Sequence, residues 1–419
     1  MRGAVAPIAA LLLSVAILLM GNGLQNTLLP IRANLEAFTT FDIGVLGSSY
    51  FSGFAAGCLL GHVVISRVGH IRAFTAMVSI ASAVALAHAL ATQPWVWWPL
   101  RATTGFCFAT LYMIIESWLN ERASNENRGT IFSIYNTINL TVITIGQMMI
   151  TLGDPNNFPL FALASILVSV AAVPVALTTA PAPAPVGRVK IRLRRLYRVS
   201  PVGFAGCFAV GLASGAFWSL SPLFAERSGL SIAGIALFMS IAGIAGAMGQ
   251  WPLGRLSDRM DRRKLIVLAC AAAASAGVGM GVFNERWDQG ILVFAFAYGI
   301  AAFPVYALSV AHANDFVEPG DYVATSSSLL LIYALGSMVG PLIASTAMSI
   351  VGADGLFGFT ATVHTSLAIF VVLRMTRRAA PPEEERVGFA EAAVAAQTLS
   401  PVDPWQEDES EASSQTDAA

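Results

Sequence analysis

The chain has 419 residues, of which 56% are apolar and only 12% are charged, and its formal net charge is -1. The mean hydropathy is +0.67. Soluble domains carry about 25% charged residues, so this chain has too few to cover a surface in water. The composition therefore excludes an ordinary soluble protein, and nothing in it favours nucleic-acid binding.

Apolar runs long enough to cross a bilayer, about 20 residues each, occur twelve times along the chain. In the first half they cover residues 5–29, 42–64, 72–92, 96–118, 129–151 and 158–178. In the second half they cover 201–224, 231–252, 264–283, 291–312, 323–350 and 356–375. The first run has no convincing small-residue cleavage site, so we interpret it as a retained helix rather than a signal peptide.

The basic residues predict the orientation of these spans. If both termini lie in the cytoplasm, the termini and the cytoplasmic loops hold all but four of the 24 lysines and arginines. Cytoplasmic loops of membrane proteins are enriched in these residues. We therefore expect a multi-pass protein with cytoplasmic N and C termini.

Four parts follow from the chain's composition. Two blocks of six spans, 1–178 and 201–376, flank a linker at 179–200 that is basic and begins with an Ala-Pro stretch. Such a linker suits a cytoplasmic connector or an amphipathic segment on the membrane surface. Residues 377–419 are rich in Pro, Ser, Ala and acidic residues, which predicts a disordered acidic cytoplasmic tail.

The two blocks read as copies at an offset of about 194 residues. Gly61 corresponds to Gly254, Gly105 to Gly299, and Tyr112 to Tyr306. Self-similarity at a fixed offset indicates duplicated units. Two such units around a midplane cavity are the architecture of a solute carrier.

The charged segment GRLSDRMDRRK, residues 254–264, carries a family resemblance. It resembles the loop signature Gly-x-x-x-Asp-Arg-x-Gly-Arg-Arg of the major facilitator superfamily, with Asp261 in place of the second Gly. The first-half loop is a degraded copy, with Ser66 where the Asp belongs and His70 in place of an Arg. The resemblance spans residues 5–375 and implies an all-α integral membrane fold of twelve helices in two six-helix bundles around a central cavity.

These loops are expected to form a cytoplasmic gate, because charged pairs at helix ends can hold one conformation and break in the other. A simple topology anchor is the alternative. We expect Asp258 to accept hydrogen bonds from neighbouring N–H groups or to pair with an arginine on a facing helix, and Gly254 to let backbones pack closely. The expected gate residues are Arg67, Gly69, Arg72, Glu116, Arg128, Gly254, Asp258, Arg259, Arg262 and Arg263.

Span 4 holds two charged residues of special interest. Arg101-x-x-x-Gly105 resembles a superfamily motif that is linked in some members to proton-coupled export, and Glu116 with Arg128 resembles an inner-gate pair. Arg101 could also reach the outer headgroups, and Glu116 could carry a proton. The two lie roughly 22 Å apart along a helix, too far to pair. The stretch Glu-Ser-Trp-Leu-Asn resembles an uncharacterised bacterial branch of the superfamily.

Polar and aromatic side chains inside the spans predict the lining of the cavity. Interhelical hydrogen bonding is the alternative role for each amide. The candidates are Asn22, Gln25, Asn26, Arg101, Tyr112, Asn136, Asn139, Trp218, Gln250, Tyr306 and Tyr333. We predict no catalytic, cofactor or metal site, and no enzyme activity, with a proton as the one candidate coupling ion.

The prediction is a secondary transporter that moves a small organic solute by alternating access in the inner membrane of a bacterium. Proton-linked efflux is the first expectation, on the superfamily's general tendency. A facilitator or importer of a small metabolite is the second, and a transporter-like sensor without flux is the third. The expected partners are the substrate and the lipid bilayer, with no nucleic acid, and the protein is expected to work as a monomer.

Overall fold

The computed structural model describes residues 8–122, 128–177, 192–283, 290–317, 322–377 and 389, and these residues form helices and no strands. Thirteen helices are longer than ten residues. They are α1 Ala9–Leu35, α2 Thr40–Val68, α3 His70–Leu90, α4 Pro94–Arg122, α5 Arg128–Met148, α6 Pro159–Val170, α7 Pro201–Arg227, α8 Ile232–Arg259, α9 Arg262–Phe283, α10 Gly290–Ala302, α11 Pro304–Asn314, α12 Tyr322–Val351 and α13 Gly355–Met375. Shorter helical pieces are Met149–Leu152, Ala172–Ala176 and Leu193–Val199.

The prediction of an all-α chain with many membrane spans is confirmed. Within the described ranges, 10 helical segments are long and apolar enough to cross a membrane. The long helices outside that set are α4 and α5, whose hydropathy is lowered by side chains such as Arg101, Glu116 and Asn136. Ten of the twelve predicted spans are thus confirmed.

Two predicted spans are interrupted. The run 291–312 forms α10 and α11, which meet at Phe303, because Pro304 has no N–H to continue the helical hydrogen bonds. Likewise α6 ends at Val170 and is followed by the short helix Ala172–Ala176, which contains a proline. Each pair still forms one apolar segment of spanning length.

The internal repeat is visible in how helices cross inside each half. A β carbon at Gly105 of α4 would overlap the Tyr50 carbonyl of α2. A β carbon at Gly299 of α10 would in the same way overlap the Ala242 carbonyl of α8. Glycine is therefore required at both crossings, since any side chain would separate the two backbones. The sequence pairing of Gly105 with Gly299 corresponds to a shared packing geometry.

The hydrophobic clusters differ between the two ends of the molecule. We call the end that carries residues 254–264 the basic end, and the other the opposite end. At the opposite end one cluster joins both halves, with Leu28 of α1 beside residues such as Phe224 of α7 and Ala344 of α12. The other clusters are confined to one half each. The halves are therefore sealed together at the opposite end and separate toward the basic end.

The linker and the tail are covered only in part. Residues 179–191 of the linker lie outside the described residues, and the rest includes the helix Leu193–Val199, which buries Leu196. Of the predicted tail, Arg377 and Phe389 are described and the remainder is not. The four predicted domain boundaries stay predictions.

Candidate functional site

A central cavity of about 1050 Å³ lies between the two halves. It extends to Arg255 and Asp258 at the basic end, and toward the opposite end it is bounded by residues such as Pro30 and Ile43. Helices of both halves line it, including α1, α2, α4 and α5 on one side and α7, α8 and α12 on the other. The cavity opens at the basic end, because Arg255 and Asp258 of its lining are exposed there and the described residues of the two halves share no hydrophobic cluster at that end.

Most of the side chains predicted to line the cavity are found there. The lining includes Asn22, Asn26, Arg101, Tyr112, Asn136, Asn139, Trp218, Gln250, Tyr306 and Tyr333. Gln25 is the exception, because it is 1% exposed and absent from the lining. It sits about 100° around the helix from Asn26, so it points among packed helices, and the prediction for Gln25 is wrong.

Arg101 is the charged centre of the first-half wall. Its Nη2 donates a hydrogen bond to Asn26 Oδ1 at 2.6 Å. Its guanidinium carbon lies 4.3 Å from the centre of the Tyr50 ring, a cation–π geometry. The residue is only 8% exposed, and its Nη1 has no hydrogen-bond partner among the described residues.

The second-half wall is aromatic. Trp218 of α7 stacks on Phe303, with ring centres 5.3 Å apart and planes at 19°. Tyr306 and Tyr333 form a second pair at 4.8 Å. Phe303 occupies the junction of α10 and α11, so the break at Pro304 places an aromatic ring in the cavity wall.

Glu116 of α4 lies deeper in the structure than an inner-gate residue was expected to lie. It is 1% exposed, and it is part of the cavity lining. Cys58, Tyr112 and Tyr135 are within electrostatic reach of its carboxylate. The prediction placed Glu116 at the gate, with proton carrying as the alternative role; the helix continues to Arg122, and Glu116 faces the cavity.

The basic end of the second half is held by a buried ion pair. Arg262 Nη1 lies 2.8 Å from Asp315 Oδ1, and these side chains are 1% and 2% exposed. Asp258 reaches the same arginine at 3.5 Å but is itself 47% exposed. Asp258 of α8 thus has an arginine of the next helix, α9, within ion-pair distance, which is one of the two roles expected for it. Arg262, at the start of α9, makes its shorter contact with Asp315, a carboxylate that follows α11.

The opposite end is closed by small residues. A β carbon at Gly44 of α2 would overlap the Ser345 side chain of α12, and one at Gly47 would overlap Ser219 of α7. Arg227 at the end of α7 also lies 3.5 Å from Asn34 Oδ1 of α1. Because these contacts join the two halves, they must separate before the cavity can open at that end.

Comparison with known proteins decides the family. The model of the Major Facilitator Superfamily matches residues 11–317 and, in a second match, 204–407. The chain belongs to the major facilitator superfamily. Superfamily relatives include an uncharacterised MFS-type transporter of Enterobacter sp. (strain 638), 28% identical over 375 residues, or 89% of this chain and 96% of that protein. The uncharacterised MFS-type transporter YcaD of Escherichia coli O17:K52:H18 is also 28% identical, over 374 residues, or 89% and 95% of the two chains.

Solved structures share the superfamily fold. The nucleoside transporter NupG aligns with a TM-score of 0.73 at 13% identity, over 89% of this chain and 100% of that one. A bacterial homologue of the human lysosomal transporter Spinster, in an inward-facing and occupied conformation, aligns with a TM-score of 0.70 at 15% identity, over 91% and 97%. A D-xylose–proton symporter aligns with 0.68 at 13%, over 91% and 100%. At these identities the likeness establishes the fold.

The local structure explains how Asp261 can stand in place of the second glycine of the superfamily signature. The backbone at Asp261 has no positive φ, so the position tolerates a side chain. Its carboxylate accepts two hydrogen bonds from Arg263, 3.0 Å from Nε and 2.8 Å from Nη2, and a third from the Arg263 backbone N–H at 3.0 Å. Burial would raise the pKa of the Asp261 carboxyl, but the bonds from Arg263 outweigh it, and that pKa lies below its usual value.

The first-half copy of the superfamily loop is built differently. Gly69 has φ +82°, a left-handed conformation that favours glycine. His70 begins α3 and lies 3.3 Å from the Ser117 hydroxyl of α4, across helices as Arg262 does in the second half. Arg67 and Arg72 are exposed, and the Arg128 side chain lies outside the described side chains.

Residues 254–259 also contact the tail. The Asp258 carboxylate accepts a hydrogen bond from the Phe389 backbone N–H at 2.9 Å, and the Phe389 ring packs on Gly254. Gly254 thus makes room for a ring, whereas we expected a close approach of backbones. Arg259 is exposed at the end of α8. Phe389 is part of the cavity lining.

The sequence reading missed three residues that shape the site. Tyr50 and Phe303 lie in apolar runs where an aromatic residue carries no distinct signal. Asp315 follows Glu121 by 194 residues, the offset of the repeat, but its ion pair with Arg262 depends on tertiary packing. For metals, the described part of the chain holds no group of three His, Cys, Asp or Glu residues placed to bind one.

Proposed function

We propose that the protein moves a small organic solute by alternating access, as a proton-linked exporter in the inner membrane of a bacterium. One observation carries the proposal: a cavity of about 1050 Å³ between two halves that is open at the basic end and sealed at the opposite end. A carrier of this family alternates between this state and its inverse. It needs no cofactor for this cycle besides the coupling proton, and we propose that it works as a monomer.

The topology of the proposal follows from the charges. We place the basic end in the cytoplasm, because cytoplasmic loops collect lysine and arginine. We also propose that α4 and α5 cross the membrane, which completes twelve spans. Their charged and amide side chains Arg101, Glu116, Asn136, Asn139 and Gln147 face the cavity, so these groups need not be exposed to lipid.

Glu116 is the proposed proton carrier. It is a carboxylate that lines the cavity and is almost fully buried. Buried ionisable groups in membrane spans are costly and commonly serve in proton relays. A carboxylate that must change its hydration when the cavity opens and closes can take up a proton in one state and release it in the other.

The open end of the cavity fits the proposed export as well as the alternatives to it. With the basic end in the cytoplasm, the solute enters from inside the cell, which is the loading step of an exporter. A facilitator or importer of a small metabolite uses the same state as its release step. A sensor without flux shares the fold but moves no solute. The experiment must separate all three.

The first test is counterflow in proteoliposomes with a pooled, labelled library of metabolites and drug-like compounds. A transported compound is then offered with an imposed pH gradient in either direction. An exporter that exchanges solute for protons accumulates it when the liposome interior is acidic, and an importer coupled to protons does so when the outside is acidic. A facilitator ignores the gradient. No flux from folded protein would refute transport and favour the sensor.

Glu116→Gln tests the coupling role, and Glu121→Gln is its matched control because Glu121 is exposed on the same helix. We expect Glu116→Gln to keep counterflow exchange and to lose accumulation driven by the pH gradient. Glu121→Gln should keep both. Gradient-driven accumulation that survives in Glu116→Gln would remove this residue from the coupling mechanism.

A further inference from the structure

The cavity holds a buried positive charge, Arg101, that contacts no carboxylate among the residues the structure describes. The described contacts of Arg101 are the neutral amide of Asn26 and the Tyr50 ring. One of its terminal nitrogens, Nη1, has no hydrogen-bond partner among the described residues. Glu116, the carboxylate on the same helix, lies roughly 22 Å away along the axis, too far to form a pair.

A guanidinium in this position is incompletely compensated. Removing a charge from water costs several kcal/mol unless it is paired and hydrogen-bonded. A cation–π contact and one bond to an amide offset part of that cost. The fork of a guanidinium matches a carboxylate or phosphate in geometry, so an anion in the cavity would bind the donor that is left without a partner.

The opposite wall defines the rest of the ligand. Trp218 and Phe303 stack on each other in the second half. Trp218 lies at the level of Tyr50, because its neighbour Ser219 packs against Gly47, which is about one helical turn from Tyr50 on α2. The cavity thus presents a cation and amides on one side and flat aromatic surface on the other.

We infer that the substrate is a small organic anion with an aromatic or otherwise apolar body. Arg101 and Asn26 bind its acidic group, and Trp218 with Phe303 packs against its body. The inference rests on the proposed function in that it assigns the substrate class to the same cavity. A carboxylate and a phosphonate-type group share this chemistry, and the test distinguishes them.

The test measures binding to purified protein in nanodiscs near neutral pH, without any gradient. The probes are two series of compounds, one with a phenyl and one with an indole body. Within each series the body is constant and the head group is a carboxylate, a phosphonate, a primary amide or a primary amine. We expect one or both acids of a series to bind about 30-fold or more tightly than the amide and the amine.

Three variants separate the roles of Arg101. Arg101→Gln should abolish the preference for acids, because the acids lose their cationic partner and bind no more tightly than the amide. Arg101→Lys keeps the charge and should retain part of the preference. Arg377→Gln, at an exposed arginine after α13, is the control for net charge. The melting temperature and the elution volume identify a variant that has failed to fold. If Arg101→Gln fails to fold, Arg101→Lys alone tests the inference.

The outcomes are distinct from those of the transport test. Equal binding of acid and amide, preference for the amine, no acid binding in either series, or an unchanged preference in Arg101→Gln would each overturn the inference. Because no flux is measured, acid binding that depends on Arg101 would stand even if proteoliposomes showed no transport. Proton-linked transport of a neutral or cationic compound would leave the proposed function intact and refute this substrate class.

Discussion

Gly44→Ala should move the protein away from the conformation described above. Gly44 of α2 packs on α12, where a β carbon would overlap Ser345 and lie 2.8 Å from the Pro341 carbonyl oxygen. Overpacking of this kind costs about 1–3 kcal/mol, which corresponds to about a 5- to 150-fold change in a two-state ratio. The overlap occurs only while the opposite end is closed. A Gly→Ala change within a helix also favours folding by about 0.5–1 kcal/mol. We therefore expect the ratio of molecules closed at the opposite end to molecules open there to fall, without loss of stability against unfolding.

Spin labels across the opposite end measure this ratio. Phe41 on α2 and Ile350 on α12 are 49% and 77% exposed, so cysteines there should accept labels. The native Cys58 is replaced by Ser, since the other cysteines are buried. Pulsed electron-spin measurements should show more of the long-distance population in Gly44→Ala. Gly358→Ala, where no atom lies within 4 Å of the new carbon, is the control. A distance distribution unchanged from the parent would refute the reasoning.

Three further predictions concern the basic end. Asp315→Asn should lower the free energy of unfolding by about 3–5 kcal/mol, because it removes the charge of the buried carboxylate that Arg262 contacts at 2.8 Å. Asp258→Asn should cost less than about 1 kcal/mol, because Asp258 is half exposed. Urea unfolding in detergent measures both. His70→Phe, which keeps a buried ring and loses the contact with the Ser117 hydroxyl, should cost about 0.5–1.5 kcal/mol, the value of one hydrogen bond, in the same assay. A loss as large as that of Asp315→Asn would contradict this. Asp261→Asn should lower the melting temperature near neutral pH. Because the folded-state pKa of Asp261 is depressed, the carboxylate contributes fully to stability above about pH 4. That contribution is lost as the pH falls further. A difference in melting temperature from wild type that persists unchanged in stronger acid would contradict this prediction.

Hydropathy predicted most of the fold because lipid imposes a simple rule on helices that cross it. A span must be apolar over about 20 residues, and ten segments satisfy that rule in the structure. The rule weakens where a helix faces a cavity instead of lipid, and α4 and α5 are such helices. It also gives no information on internal breaks, so the junction at Phe303 was not foreseen.

The candidate site was predicted from the energetic cost of placing polar side chains in lipid. A polar side chain within a span is expensive in lipid, so it faces either the cavity or another helix, and sequence alone does not separate these two. The structure separates them for one residue: Gln25 is three residues from Asn22, a spacing of neighbours on a helix, yet it is buried outside the cavity lining. Tyr50 could not be found in this way, because an aromatic ring is inexpensive on either face.

The two halves differ in how their charges are balanced. In the second half, Arg262 and Asp315 neutralise each other inside the protein, so that charge is compensated whether or not a solute is bound. In the first half, the equivalent position at the start of α3 is His70, which contacts a hydroxyl, while the buried charge lies in the cavity at Arg101. A ligand in the cavity therefore changes the electrostatic energy of the first half far more than that of the second. An anion that completes the partners of Arg101 lowers the energy only of states that keep this arginine and the ligand in contact, which is how binding of a solute can select a conformation.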